Sequence, residues 1–159
     1  HYGKIMQYGP VDEVYHNPSY VEVGEYFSHP TMNILEAEKV SEGDRVYAKA
    51  SDQFKIDITH VASDLKKDRY YLGVHAHAIS TAPTADATIE VDGKVELSEA
   101  VGSDTELHVS HGGKSLVILQ QELITYDIGQ DIKLYLDPTR FYLFDMDTRG
   151  LCAKTETES

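Results

Sequence analysis

Ile89-Glu90-Val91-Asp92-Gly93-Lys94-Val95-Glu96-Leu97 carries the pattern that decides the fold. Apolar and polar residues alternate on both sides of Asp92-Gly93, and alternation puts successive side chains on opposite faces of a strand. Asp-Gly suits a type I′ turn, whose two central residues both need positive φ. The stretch therefore predicts a β-hairpin, Ile89–Val91 against Val95–Leu97. Outward in both directions the same period of two recurs. Val46, Ala48 and Ala50 share one face, and Phe54, Ile56 and Ile58 alternate with Lys55, Asp57 and Thr59. Leu72 to Ile79, Leu107 with Val109, Leu116 to Leu119, Ile132 to Leu136 and Phe141 to Phe144 read as further strands. Turn chemistry falls between them at Glu42-Gly43-Asp44, Gly112-Gly113 and Ile128-Gly129-Gln130. Many short alternating strands predict a mainly β unit from about Met32 to Asp145, built as an antiparallel barrel or sandwich. Residues 60–68 are the remaining candidate for a helix.

Composition bounds the function. The chain has 159 residues with a formal charge of -13, so its mean field repels nucleic-acid backbone and anionic lipid. That counts strongly against an oligonucleotide-binding role, and no nucleic-acid partner is expected. One cysteine, Cys152, allows no internal disulfide and matches no zinc motif. No apolar run reaches the length of a membrane span. The opening at His1, without an initiator Met, reads as a fragment or a processed chain.

The first thirty residues differ from the rest. Tyr2 to Tyr8 suits a strand, and Pro10 suits the first turn of a short helix through Tyr15. Ser19 caps a second short helix, Tyr20 to Phe27, with Glu22 completing a capping box and Tyr20, Val23 and Phe27 at helical spacing. Residues 1–30 thus predict a short-helix arm, residues 31–150 the β domain, and residues 151–159 a polar tail.

Three stretches together resemble the ATPase subunits of carbohydrate-type ABC importers, such as the maltose importer. The first is Gly3-Lys4-Ile5-Met6-Gln7-Tyr8-Gly9-Pro10 with Glu13-Val14-Tyr15 and Asn17-Pro18, continued by Phe27, Pro30, Met32 and Asn33. The second is Glu99-Ala100-Val101-Gly102-Ser103-Asp104-Thr105, similar to the family's E-x-[LV]-G-[SN]-[DE]-T turn. The third is Asp137-Pro138-Thr139-Arg140-Phe141-Tyr142-Leu143-Phe144-Asp145, similar to its D-P-x-R-x-x-L-F-D ending. The chain departs from the family at Gly73-Val74-His75-Ala76-His77-Ala78, where G-[IV]-R-P-E-H is common.

The resemblance implies an OB-fold-like, TOBE-type antiparallel barrel, preceded by an arm that is the end of the nucleotide-binding domain. It implies a regulatory and dimerisation module with no catalytic, cofactor-binding or metal residues of its own. ATP and Mg would belong to the full-length parent, an ATPase coupled to uptake of a sugar or similar solute. The sequence carries no G-x-x-x-x-G-K-[ST] phosphate loop and no ABC signature loop, so this chain is expected not to hydrolyse ATP. Implied partners are a second copy of the chain, permease subunits reached through the nucleotide-binding domain, and, in some members, an inhibitory protein. The implied location is cytoplasmic, on the inner face of the membrane. Candidate regulatory or dimer contacts are Gly73, Val74, His75 and His77, with Gly102, Ser103, Asp104 and Thr105.

Competing readings attach to the same residues. His75 and His77, two apart on a strand, share a face and with His60, His108 or His111 would suit a transition metal; the plainer reading is two polar side chains on a solvated or subunit-facing surface. Gly102-Ser103-Asp104 is either an anion-binding nest or a tight turn between strands. Asp137 and Arg140 are either a catalytic pair or a turn in which the arginine neutralises a local acid. The alternative function is a small barrel that senses a metabolite or oxyanion and tunes the transporter.

Overall fold

The computed structural model describes residues 32–156; the arm predicted for residues 1–30 lies outside them. The described part forms two antiparallel sheets. The first sheet holds β1 (Met32–Glu42), β2 (Arg45–Lys49), β3 (Lys55–Asp57), β4 (Arg69–His75), β10 (Tyr142–Asp145) and β11 (Leu151–Lys154), in the order β11-β10-β4-β1-β2-β3. The second holds β5 (Ile79–Ser80), β6 (Ile89–Val101), β7 (Asp104–His111), β8 (Lys114–Gln120) and β9 (Asp131–Leu136), in the order β5-β9-β6-β7-β8. The sheets curl as a half-barrel, the mainly β, OB-fold-like architecture that alternation and resemblance predict. Residues 59–64 form a 3-10 helix rather than an α-helix.

Each strand contributes its apolar set to one shared core. Phe54, Ile56 and Ile58 are all fully buried, as are Leu72 on β4, Leu107 and Val109 on β7, and Leu134 and Leu136 on β9. Because strand side chains alternate, the first sheet also has an opposite face, where Met32 and Phe144 pack with Ile34, Tyr71, Tyr142 and Leu151. Gly73 lies in that second cluster. A Cβ there would stand 2.9 Å from Phe144 Cε2 and 3.0 Å from Met32 Sδ, so its missing side chain lets the two large residues close over the strand.

Two sequence expectations change. Asp92-Gly93 is no turn: β6 runs unbroken from Ile89 to Val101, pairing with β9 at Asp92↔Lys133 and Gly93↔Ile132. Strand pairing on both flanks outweighs the local turn preference, and Gly93 does not take a positive φ. The residues assigned to a polar tail are not all tail. Leu151–Lys154 forms β11 against β10, and Thr155 closes it, its N–H donating to Phe141 O at 2.9 Å and its Oγ1 accepting from Phe141 N–H at 2.9 Å.

β7 shows how buried polar ends join the sheets. Its inward face reads Thr105, Leu107, Val109, His111, two apolar residues between two polar ones. His111 Nδ1–H donates to the Asp92 carbonyl at 2.6 Å, because a carbonyl can only accept. Nε2 must then accept, and Ser51 Oγ donates to it at 2.6 Å while accepting from Phe54 N–H at 3.0 Å. Ser51 follows β2 of the first sheet and His111 ends β7 of the second, so this chain of bonds staples them. Urea unfolding of His111→Ala is expected to show a loss of about 1–3 kcal/mol, the cost of orphaning buried polar groups. A change within a few tenths would mean water replaces the imidazole without penalty.

Candidate functional site

The chain passes between the sheets at two corners, and both are segments singled out by sequence. In the first, β4 ends at His75 and a 3-10 turn, Ala76–Ala78, delivers the chain to β5. Ala76 and Ala78 are buried and the turn lies against β8. His75 and His77 therefore do not share one strand, as predicted, yet the turn stacks their rings at 5.2 Å between centroids and 6° between planes. His75 is 7% exposed and meets Tyr142 edge-on at 5.7 Å.

The second corner is Asp137-Pro138-Thr139-Arg140, carrying the chain from β9 to β10. Asp137 Oδ1 accepts from Thr139 N–H at 2.9 Å and from Thr139 Oγ1 at 2.6 Å, which fixes the turn locally. The acid is thus satisfied by threonine and not by Arg140. Arg140 instead reaches the first corner, with Nη2 at 3.5 Å from His77 Nδ1. Burial first, and the Arg140 charge second, hold His77 below the ordinary histidine range. Lys154, at the end of β11, comes to the same place because Thr155 is bonded to Phe141. His75, Thr139, Arg140, Tyr142, Lys154 and Glu156 face a cleft of about 180 Å³ over buried Phe141.

The other candidate residues occupy the second sheet. Gly102 and Ser103 form the exposed tip between β6 and β7, with Gly102 at φ 64°, a conformation that favours glycine. Asp104 pairs with Val101 across that turn. Thr105 is 2% exposed; its Oγ1 donates to Glu122 O at 2.7 Å and accepts from Ile124 N–H at 3.0 Å, tying down the segment after β8. Gly73 and Val74 are buried within β4. The histidine corner and the Gly102 turn are thus separate places on separate sheets.

The other described histidines are engaged elsewhere: His60 Nε2–H donates to Thr155 O at 3.1 Å, and His108 pairs with Glu106 at 2.9 Å. Among the described residues, no three His, Cys, Asp or Glu side chains are grouped as a metal site would need. Asp145, last residue of the third motif, accepts from Lys67 at 2.8 Å and from Thr148 N–H and Asp147 N–H at 2.8 Å. Those donors, Lys67 first, hold its carboxyl down at about 2. Its place in the motif is thereby explained as closure of the β10–β11 turn.

Residues 68–144, from β4 through β10, match the family of the TOBE domain. Over that stretch the chain is similar to TOBE domains. Its sequence is 28% identical over 148 residues to the sulfoquinovosyl glycerol transport ATP-binding protein SmoE of Agrobacterium fabrum, covering 92% of this chain and 40% of that protein. It is 27% identical over 152 residues to the maltose/maltodextrin import ATP-binding protein MalK of Vibrio vulnificus, covering 93% and 40%. The sn-glycerol-3-phosphate import ATP-binding protein UgpC 1 of Rhizobium johnstonii is 28% identical over 148 residues, covering 92% and 39%. The chain therefore spans about two fifths of the length of the curated relatives it matches. Among solved structures, the cytoplasmic molybdate-binding protein ModG superposes with a TM-score of 0.51 at 12% identity, covering 70% of this chain and 94% of that one. At that identity the likeness concerns the fold alone.

Proposed function

We propose that this chain is the regulatory and dimerisation module of an ABC importer ATPase subunit, which couples ATP hydrolysis to uptake of a sugar or related solute. The observation that carries the reading is its similarity, over more than nine tenths of its length, to ATP-binding proteins of three such importers. The module itself catalyses nothing. ATP and Mg belong to the nucleotide-binding part of the parent, and that part meets the permease at the cytoplasmic face of the membrane. Two modules pair about a two-fold axis, for which one surface must suit itself. The Gly102–Ser103 tip supports such a contact, since Val101 beside it is 44% exposed and Leu97 on the same strand 38%. His77 at the first corner offers a second, less acidic contact.

Sequence upstream of His1 tests the parentage. A phosphate loop and an ABC signature loop there support the reading, and their absence overturns it. Pairing is tested by sedimentation at rising protein concentration. Copies at -13 repel one another, so dimers are expected to strengthen with salt and to weaken in Val101→Glu. A monomer at every concentration and salt would reject pairing by the module alone.

A further inference from the structure

The protein holds 27 carboxylates against 14 lysines and arginines, so two cations that face one cleft without a carboxylate partner need a reason. Among the described residues, seven of its cations meet a carboxylate: Arg45 with Asp57, Lys49 with Asp52, Lys55 with Glu42, Lys67 with Asp145 and Asp147, Arg69 with Glu36, Lys94 with Asp131, and Lys133 with Glu90 and Asp92. Arg140 and Lys154 have no carboxylate partner among the described residues, and both face the cleft between the two corners. The nearest acid in sequence to Arg140, Asp137, is withheld from it by Thr139. Two stacked imidazoles stand beside the guanidinium, which adds donors and no negative charge. Among the described residues Glu156 is the single carboxylate lining the cleft, and it is exposed.

We propose that this cleft is a binding site for the phosphate group of inorganic phosphate or of a small phosphate ester. Arg140 supplies a planar fork of N–H donors suited to two oxygens of a tetrahedral anion, and Lys154 supplies a compact charge. Buried Phe141 and the Tyr142 ring form the apolar wall of the cleft. A volume of about 180 Å³ admits a phosphate group. The site joins residues of both corners and of β11, so an occupant would hold the two sheets together at their junction. This goes beyond the proposed module role: a phosphate site can be present or absent whether or not the parent is an importer.

The test is calorimetric titration of the chain with inorganic phosphate and, separately, methyl phosphate, at constant ionic strength, with amide shift mapping by NMR. Saturable binding is expected, with shifts centred on Thr139 to Tyr142 and on Lys154. Arg140→Gln and Lys154→Gln should each weaken it by about tenfold, the loss of a charge-assisted contact. Lys114→Gln, a cation at the start of β8 outside the cleft, should leave it unchanged. Equal affinity for the two probes assigns the site to the phosphate group itself; tighter methyl phosphate assigns it to a phosphate ester. Matching thermal unfolding of the variants separates lost binding from lost folding. No saturation in the millimolar range, or saturation that Arg140→Gln and Lys154→Gln leave intact, overturns the proposal.

Discussion

Asn33→Ala is expected to lower the unfolding free energy by about 3 kcal/mol, read from urea transitions. Asn33 lies on β1 of the first sheet, yet its side chain serves β8 of the second. Its Nδ2 donates to Val117 O at 2.8 Å, and its Oδ1 accepts from Val117 N–H at 2.7 Å. β8 is an edge strand among the described residues, so Val117 turns both backbone groups away from β7, where no described strand takes them. The asparagine amide stands in for the missing peptide, and at 6% exposure little water is available to replace it. Truncation orphans one donor and one acceptor, each costing about 1–3 kcal/mol when buried. Asn33→Asp sharpens the test. At neutral pH its carboxylate still accepts from Val117 N–H but sets a charge against the Val117 carbonyl, so it should be at least as damaging as alanine. Protonation restores a donor, so the stability of Asn33→Asp should recover relative to Asn33→Ala as pH falls through the carboxylate range. A loss below about 0.5 kcal/mol for Asn33→Ala would show that water or a shifted β8 satisfies Val117.

Why some of this was legible in sequence and some was not follows from distance along the chain. Phe54, Ile56 and Ile58 alternate strictly, and all three are fully buried where alternation puts them. Gly43, Gly112, Gly113 and Gly129 were read as turns and take positive φ. β11 was missed because all four of its residues are half-buried, on an outer strand with no apolar and polar faces to alternate. β5, two residues long, is too short to show a period. The cleft was missed for another reason. It joins His75, Thr139 to Tyr142, and Lys154, and the neighbouring contact between His77 and Arg140 spans 63 residues. Local reading paired Arg140 with Asp137 because they are neighbours; Thr139 is nearer and satisfies the acid first. The motif around Asn33 was recognised only by resemblance, since nothing local says that an asparagine will bond to Val117, 84 residues away.

Gly93→Ala is expected to cost about 3 kcal/mol, and the reason separates two explanations of the same glycine. In a type I′ turn an alanine would be strained by positive φ, and the loss would be local and indifferent to distant side chains. In β6 the backbone is ordinary, and what alanine meets is β7. A Cβ would stand 2.3 Å from Val109 Cγ1 and 3.0 Å from the Ser110 carbonyl oxygen. Val109 is fully buried and has no open side to turn into, while the Ser110 oxygen is backbone and moves only with its strand. Relief therefore requires β6 and β7 to part in the middle of the second sheet, an overpacking penalty of about 1–3 kcal/mol or somewhat more. A double-mutant cycle with Val109→Ala distinguishes the cases. Val109→Ala alone leaves a cavity and is destabilising, yet it removes the atom that the new methyl strikes. The double variant should then lose clearly less than the sum of the two single losses, with coupling of about 1 kcal/mol or more between residues in contact. Strict additivity would mean that the cost of Gly93→Ala arises in its own backbone, and that the close approach of β6 to β7 is not what reserves the position for glycine.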